Sequence, residues 1–189
     1  AAALHALQSL GLGPNDVQVH VNSRGLLGDL FARAAIPPER HAALFLALDK
    51  RGKMEDEAIA AMLADEGFDR TAIETAFQLM RIQKFEEAVA RIGEETPAVA
   101  ALRRFFHLAE IYGIRDSLLF DIGVIRGLGY YTGIVFECFD VPRRFRALFG
   151  GGRYDNLLAS LGGRPLPAVG LGFGDVVIAE LLAELNRLP

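Results

Sequence analysis

The sequence predicts an α+β fold: an antiparallel sheet with packed helices, carrying a small all-helical insertion. Three observations predict it. Val17, Val19 and Val21 alternate with Gln18, His20 and Asn22, the period of a half-buried strand. Between 37 and 97 that alternation disappears and only helix-sized apolar segments remain. From 118 onward strand-like runs return, joined by loops too short for a crossover helix, which favours antiparallel pairing. The expected division is a core of residues 1–36 and 97–189, interrupted by a helical insertion over 37–96.

Each element has a local reason. Residues 2–10 read as a short helix closed by Gly11 and Gly13. The first strand covers 16–22, and Asn22-Ser23 caps a helix over 24–35 with Leu26, Leu27, Leu30 and Phe31 on its apolar stripe. Pro37-Pro38 marks a boundary, after which helices are expected over 39–48, 54–64, 69–80 and 85–92, with breaks at Gly52, Gly67 and Gly93. Residues 97–112 form an amphipathic helix ended by Gly113. Strands are expected over 118–125, 134–139 and 145–149, the last two as a hairpin around Pro142. A helix over 154–161, a glycine-bearing strand over 168–173 and a helix capped by Asp175 complete the chain.

Composition narrows the function. The chain has 189 residues, 51% of them hydrophobic, which is enough for one good core and argues against disorder. The net charge of −4 argues against a broadly basic nucleic-acid surface. Residues 37–97 hold 8 Lys+Arg against 13 Asp+Glu, a balance of −5, and Lys50-Arg51-Gly52-Lys53 is their basic cluster. That cluster reads first as a solvated loop, although it also suits a phosphate. One cysteine, Cys138, excludes an internal disulfide and a Cys-based zinc site, and a reducing cytoplasmic setting is expected. No apolar run is long enough to cross a bilayer, and no membrane partner is expected. His20 reads as a polar-face strand residue and His107 as a surface histidine. Gly-x-Ser-x-Gly elbows, paired histidines at helical spacing and cysteine–histidine pairs are absent, so hydrolase, metalloprotease and thiol-enzyme readings have no support.

Three polar islands carry the chemistry. Arg126-Gly127-Leu128-Gly129-Tyr130-Tyr131-Thr132-Gly133 offers a cation, three glycines and two adjacent phenols. In an extended backbone neighbouring phenols point to opposite faces, so one of them enters a given pocket unless the chain kinks there. Gly150-Gly151-Gly152-Arg153-Tyr154-Asp155-Asn156 reads as a turn opening a helix, a place that suits an anion and equally suits a tight turn without a ligand. Gly170, Gly172 and Gly174 alternate along a strand and leave one face bare, for a flat ligand or for close strand packing. Together the islands suggest a small-molecule site at the sheet face.

The run Arg126-Gly127-Leu128-Gly129-Tyr130-Tyr131 resembles the first histidine-specific signature of histidyl-tRNA synthetases, usually Arg-Gly-Leu-Asp-Tyr-Tyr. The stretch 150–157, GGGRYDNL, resembles their second signature, and 167–174, PAVGLGFG, resembles the strand of class II motif 3. The helical insertion also sits where that family carries its insertion domain. The resemblance covers nearly the whole chain, as the C-terminal part of a catalytic domain with its insertion.

The resemblance implies a class II aminoacyl-tRNA synthetase core, in which histidine and ATP give histidyl-adenylate and histidine then passes to tRNA-His. It implies Arg126 as the catalytic cation, near the α-phosphate and the substrate carboxylate. It implies that Tyr131 hydrogen-bonds the imidazole, that Tyr130 lines the same pocket, and that Tyr154 approaches from the second signature with Gly151 and Gly152 giving it room. Gly170, Gly172 and Gly174 would form the floor under the adenine or ribose. ATP is implied as substrate, with Mg²⁺ accompanying it though no Mg²⁺ ligand is identifiable in the chain, and a homodimer is implied for the full-length protein. The insertion leans on the tRNA acceptor arm in that family.

Three positions depart from the pattern: Gly129 stands for the usual Asp, Asn156 for Gly, and Val177 for the motif 3 Arg that binds the γ-phosphate side of ATP. Motif 1, the motif 2 arginine strand and the anticodon-binding domain have no counterpart, so the isolated 189-residue piece is expected to be inactive. Two other readings stand beside the ligase. One is the non-catalytic, synthetase-like regulatory subunit of ATP phosphoribosyltransferase, which shares the signatures and accounts for Val177. The other is an interaction domain with a dead pocket.

Overall fold

The computed structural model describes residues 1–125 and 129–188. The fold is α+β. Among the described residues a five-stranded sheet has the order β2-β1-β3-β4-β5, with β1 Val17–Ser23, β2 Leu118–Phe120, β3 Ile134–Asp140, β4 Phe149–Tyr154 and β5 Ala168–Phe173. Four strands run antiparallel in the series β1, β3, β4, β5. β2 departs from the antiparallel expectation and joins β1 in parallel. The physical reason is the connection: the chain leaves β1 and returns at β2 only after a long helical excursion, the kind of crossover a parallel pair requires.

That excursion is made of α2 Arg24–Arg33, α3 His41–Lys50, α4 Asp56–Asp65, α5 Arg70–Met80, α6 Phe85–Ile92 and α7 Pro97–Ile111; α1 Ala2–Ser9 precedes β1. Caps set several of the starts. Ser23 Oγ accepts the Leu26 amide, Asp69 accepts that of Ala72, and Thr96 accepts that of Val99. Gly93 ends α6 in the left-handed region, φ 80°, where a Cβ would be strained. Leu26, Leu27, Leu30 and Phe31 of α2 are all buried, as their spacing requires. Each contributes about 1.5–3 kcal/mol on leaving water. One core cluster runs from α2 and α7 through the helices of 41–92 and into the sheet.

The sheet has two unlike faces. On one, Val19, Phe136 and Phe149 line a cavity together with Leu4 of α1 and Phe105 and Ala109 of α7. The other carries His20, Asn22, Val135, Glu137, Gly150, Gly152, Gly170 and Gly172, as the strand registers place them. This second face holds the site.

Four expectations are corrected. The strand expected over 118–125 stops at Phe120, and residues 122–123 form a turn. The strand expected over 145–149 lies later, at Phe149–Tyr154, so the glycine run is in mid-sheet and does not open a helix. The anion site expected for that run therefore has no helix terminus behind it; Gly150, Gly151 and Gly152 pair with β3 on one side and β5 on the other. The helix expected over 154–161 shrinks to one turn, α8 Leu157–Ser160. Finally, Asp175 is the first residue of α9 Asp175–Glu184, whose cap position is Gly174. Its Oδ1 accepts the neighbouring Val176 amide.

Candidate functional site

Tyr130, Tyr131 and Tyr154 converge. The rings of Tyr130 and Tyr131 lie 4.6 Å apart, Tyr130 and Tyr154 5.5 Å, and Tyr131 and Tyr154 6.3 Å. Tyr131 is buried on Val124 and Val135, and the other two pack around it half-exposed. An extended backbone would send Tyr130 and Tyr131 to opposite faces, but both precede β3 in irregular backbone and so share one side.

Glycines make the room. A Cβ on Gly152 would lie 2.8 Å from the Tyr131 ring and 2.9 Å from the Ile134 carbonyl oxygen. A Cβ on Gly170 would lie 2.9 Å from Tyr154 Oη. Gly152 and Gly170 are paired across β4 and β5, and Gly150 pairs with Gly172 beside them. They form a bare strip under the tyrosines. Gly152 thus clears space for Tyr131, and it is Gly170 that clears it for Tyr154. Gly151 points to the other face, where a Cβ would collide with the Gly170 carbonyl oxygen and with Leu171. Gly172 is exposed with nothing within 4 Å of its Cβ position. Gly174 lies past the strand end, at the start of α9. Arg126, the expected cation, lies with Gly127 and Leu128 outside the described residues.

Side-chain bonds lace the two signatures together. Thr132 Oγ1 donates to Asp155 Oδ2 at 2.8 Å and accepts the Asp155 amide at 3.1 Å. Arg153 Nε donates to Asp155 Oδ1 at 2.9 Å, and the Thr132 amide reaches the Arg153 carbonyl. The tyrosines on either side of this lacing are held in register by it.

Behind them lies a polar cluster that local sequence patterns do not reveal. His20 is only 7% exposed, and its Nδ1 donates to Asp121 Oδ2 at 2.8 Å. Arg143 Nη2 reaches the same oxygen at 3.3 Å while its guanidinium covers the Phe139 ring. Asp121 Oδ1 takes the Gly123 amide. Asn22, fully buried, donates Nδ2 to the Ile122 carbonyl at 2.9 Å. Burial raises the Asp121 carboxyl, but the His20 hydrogen bond, the Gly123 amide and the His20 and Arg143 charges outweigh it and hold the carboxyl below its ordinary range. His20 is on the polar face of β1, as expected, and is buried there against Asp121. Its partner is 101 positions away, a separation no periodicity encodes.

Two cavities open on this face beside Ile125, the last described residue before the first signature. One, of about 520 Å³, runs between Arg51 and Lys53 of the α3–α4 loop and Asp121, Glu137, Phe139 and Arg143. The basic loop is exposed, as expected of a solvated loop, and it also lines this cavity. The other, of about 480 Å³, is walled by Arg24, His41, Phe45 and Gly129. Among the described residues no group of three His, Cys, Asp or Glu side chains could hold a metal ion, and none of the helices is long and apolar enough to cross a membrane. Val177 is half-buried and packs on the core, so no cation stands at that position.

The family model described as Histidyl-tRNA synthetase matches residues 1–174. The chain is 40% identical over 180 residues to the chloroplastic/mitochondrial histidine–tRNA ligase of Arabidopsis thaliana, covering 95% of this chain and 37% of that protein. It is 38% identical over 192 residues to the histidine–tRNA ligase of Natronomonas pharaonis, covering 100% of this chain and 44% of that protein. Among solved structures it resembles the histidyl-tRNA synthetase of Nostoc sp. PCC 7120, with a TM-score of 0.80 at 20% identity over 98% of this chain and 48% of that one. It also resembles an ATP phosphoribosyltransferase regulatory subunit/histidyl-tRNA synthetase of Bacillus halodurans C, with a TM-score of 0.77 at 24% identity over 95% of this chain and 47% of that one. The chain spans less than half the length of each of these relatives. A mixed sheet packed with helices, two histidine-type signatures meeting on one face of it, and a family match over residues 1–174 agree: the chain belongs to the histidyl-tRNA synthetase family.

Proposed function

We propose that this chain is part of a histidine–tRNA ligase and supplies its histidine pocket. The observation that carries the reading is the convergence of Tyr130, Tyr131 and Tyr154, from two separate signatures, over the bare strip of Gly152 and Gly170. Clustered phenols beside a bare glycine strip suit an imidazole: ring faces supply apolar contact and a hydroxyl supplies a hydrogen bond. The glycine strip beside them suits the flat adenine of ATP. In the reaction a histidine carboxylate oxygen attacks the α-phosphorus of ATP and pyrophosphate leaves, giving histidyl-adenylate; a terminal ribose hydroxyl of tRNA-His then attacks the histidyl carbonyl carbon, and AMP leaves. Arg126 is assigned to the charge that builds on the α-phosphate. Tyr131 is assigned to the imidazole, Tyr130 and Tyr154 to the pocket walls, and Gly170, Gly172 and Gly174 to the nucleotide floor. Mg²⁺ accompanies the ATP. Residues 37–96 are assigned as an insertion that leans on the tRNA, and the rest as catalytic core.

Val177 favours a second reading, the non-catalytic regulatory paralogue, because an apolar side chain packed on the core cannot grip a γ-phosphate. Pyrophosphate exchange and calorimetry on the full-length gene product separate the two. The ligase reading expects exchange that depends on histidine. A protein that binds histidine but not ATP supports the regulator, and one that binds neither is an interaction domain. The isolated 189-residue chain is expected not to charge tRNA; charging by it would refute the reading of this chain as one part of a larger catalytic unit.

A further inference from the structure

We propose that His20 and Asp121 are positioning residues that fix the turn leading into the first signature and, through Val124, the ring of Tyr131. The bonds form a short chain. His20 Nδ1 holds Asp121 Oδ2, and Asp121 Oδ1 holds the Gly123 amide. The Asp121 amide reaches the Val21 carbonyl of β1, and the Asp121 carbonyl takes the Val124 amide. Val124 is buried against Tyr131 and Val135. Asn22, two residues along β1 on the same face as His20, binds the Ile122 carbonyl and closes the turn from the other side. One strand thus holds Asp121 and Ile122, and Asp121 in turn holds the amides of Gly123 and Val124, two residues short of Arg126 in the chain. A turn of this kind has no ladder of its own, so side-chain bonds from a buried strand decide where it sits. Arg143 covers the outer side of Asp121 and keeps the carboxylate on His20.

The consequence for substrate rests on the ligase reading; the grip itself does not. Substitution is made in the full-length gene product. His20→Leu keeps the volume roughly and removes Nδ1. Asp121→Ala acts on the partly exposed end of the pair and covers the case in which His20→Leu folds poorly. His20→Asn returns a nitrogen donor near the place of Nδ1. Hydrogen exchange followed by mass spectrometry is the first readout. In His20→Leu and Asp121→Ala, amides of 122–125 and 130–132 are expected to exchange at least about 10-fold faster, while those of α4 and α5 do not change. His20→Asn is expected to restore most of the protection. The second readout is pyrophosphate exchange, where the KM for histidine should rise about 10-fold or more and the KM for ATP should hold.

Wild-type protection of 122–125 and 130–132 in both loss variants overturns the proposal. So does a His20→Asn protein as loose as His20→Leu, because the imidazole then acts by its ring volume against Phe139. Loosened amides with an unchanged KM for histidine overturn the link to Tyr131. A wild-type protein without histidine-dependent exchange sinks the ligase reading instead, and the amide measurement still decides the grip.

Discussion

Tyr131 sits where a side chain on Gly152 would be, and that single exclusion makes the pocket sensitive to one methyl group. A Cβ at Gly152 meets a ring on one side and the Ile134 carbonyl on the other, at 2.8 and 2.9 Å, and the carbonyl is tied into the sheet. Gly152→Ala is therefore expected to cost about 1–3 kcal/mol in urea unfolding, as overpacking does. On the proposed ligase function it is also expected to weaken histidine binding at least about 10-fold by calorimetry, because a misplaced Tyr131 ring would lose the hydrogen bond assigned to it. Gly172→Ala is the matched contrast, since nothing lies within 4 Å of that Cβ. Its stability should change by less than about 0.5 kcal/mol. A loss of ATP affinity in Gly172→Ala with histidine affinity intact would place the nucleotide over that end of the strip. The residue types of the site are legible in the chain itself, where the glycines and tyrosines stand out. Which glycine serves which tyrosine is not legible there, because the answer depends on the β4–β5 register and on the irregular backbone that leads into β3.

At the scale of elements, capping residues announce themselves and strand ends do not. Ser23 caps where its type and position say it should, because a cap is a bond within four residues; Asp69 and Thr96 cap α5 and α7 in the same way, whereas Asp175 does not cap α9. Thr96 does more than cap α7. Its hydroxyl also donates to Asp29 Oδ2 of α2 at 2.5 Å, pinning the helix that opens the excursion to the one that ends it. Thr96→Ala should lower stability by about 1–2 kcal/mol, and Thr96→Ser should recover most of it. An alanine variant that unfolds at the wild-type urea midpoint would show that neither bond matters. The strands are harder to bound. Residues 145–149 are apolar apart from Arg146 and read as a strand, with the triple glycine as its end. In the sheet the glycines are the strand, since two neighbours supply hydrogen bonds that offset their poor strand propensity.

Across the whole molecule, one core cluster joins the helices of 41–92 to the sheet, so opening of the sheet face should be a global event. Cys138 reports it. It sits in β3, wholly buried, and its thiol is pushed up to about 12 by desolvation and by the neighbouring Asp140 carboxylate. At neutral pH the native protein should not react with an aromatic disulfide reagent on the time scale of minutes, and reactivity should rise only along the urea unfolding curve. Rapid labelling of the folded protein would mean that β3 is exposed by local opening, and the sheet would then not be one cooperative unit.

The sequence by itself determined the helices outside 154–161, the Ser23 cap, the α+β class and the family resemblance, because these rest on periodicities and motifs carried within short windows. It also marked out the tyrosines and glycines of the site by type. Only the tertiary structure decided that β2 runs parallel to β1, that the glycine run lies in mid-sheet, that the Tyr130 and Tyr131 rings pack on one side, and that His20 holds Asp121 from 101 positions away. The physical reason is common to all four. Strand pairing and buried polar contacts are made between residues far apart in the chain, and their free energy exists only once the core that excludes water has assembled around them.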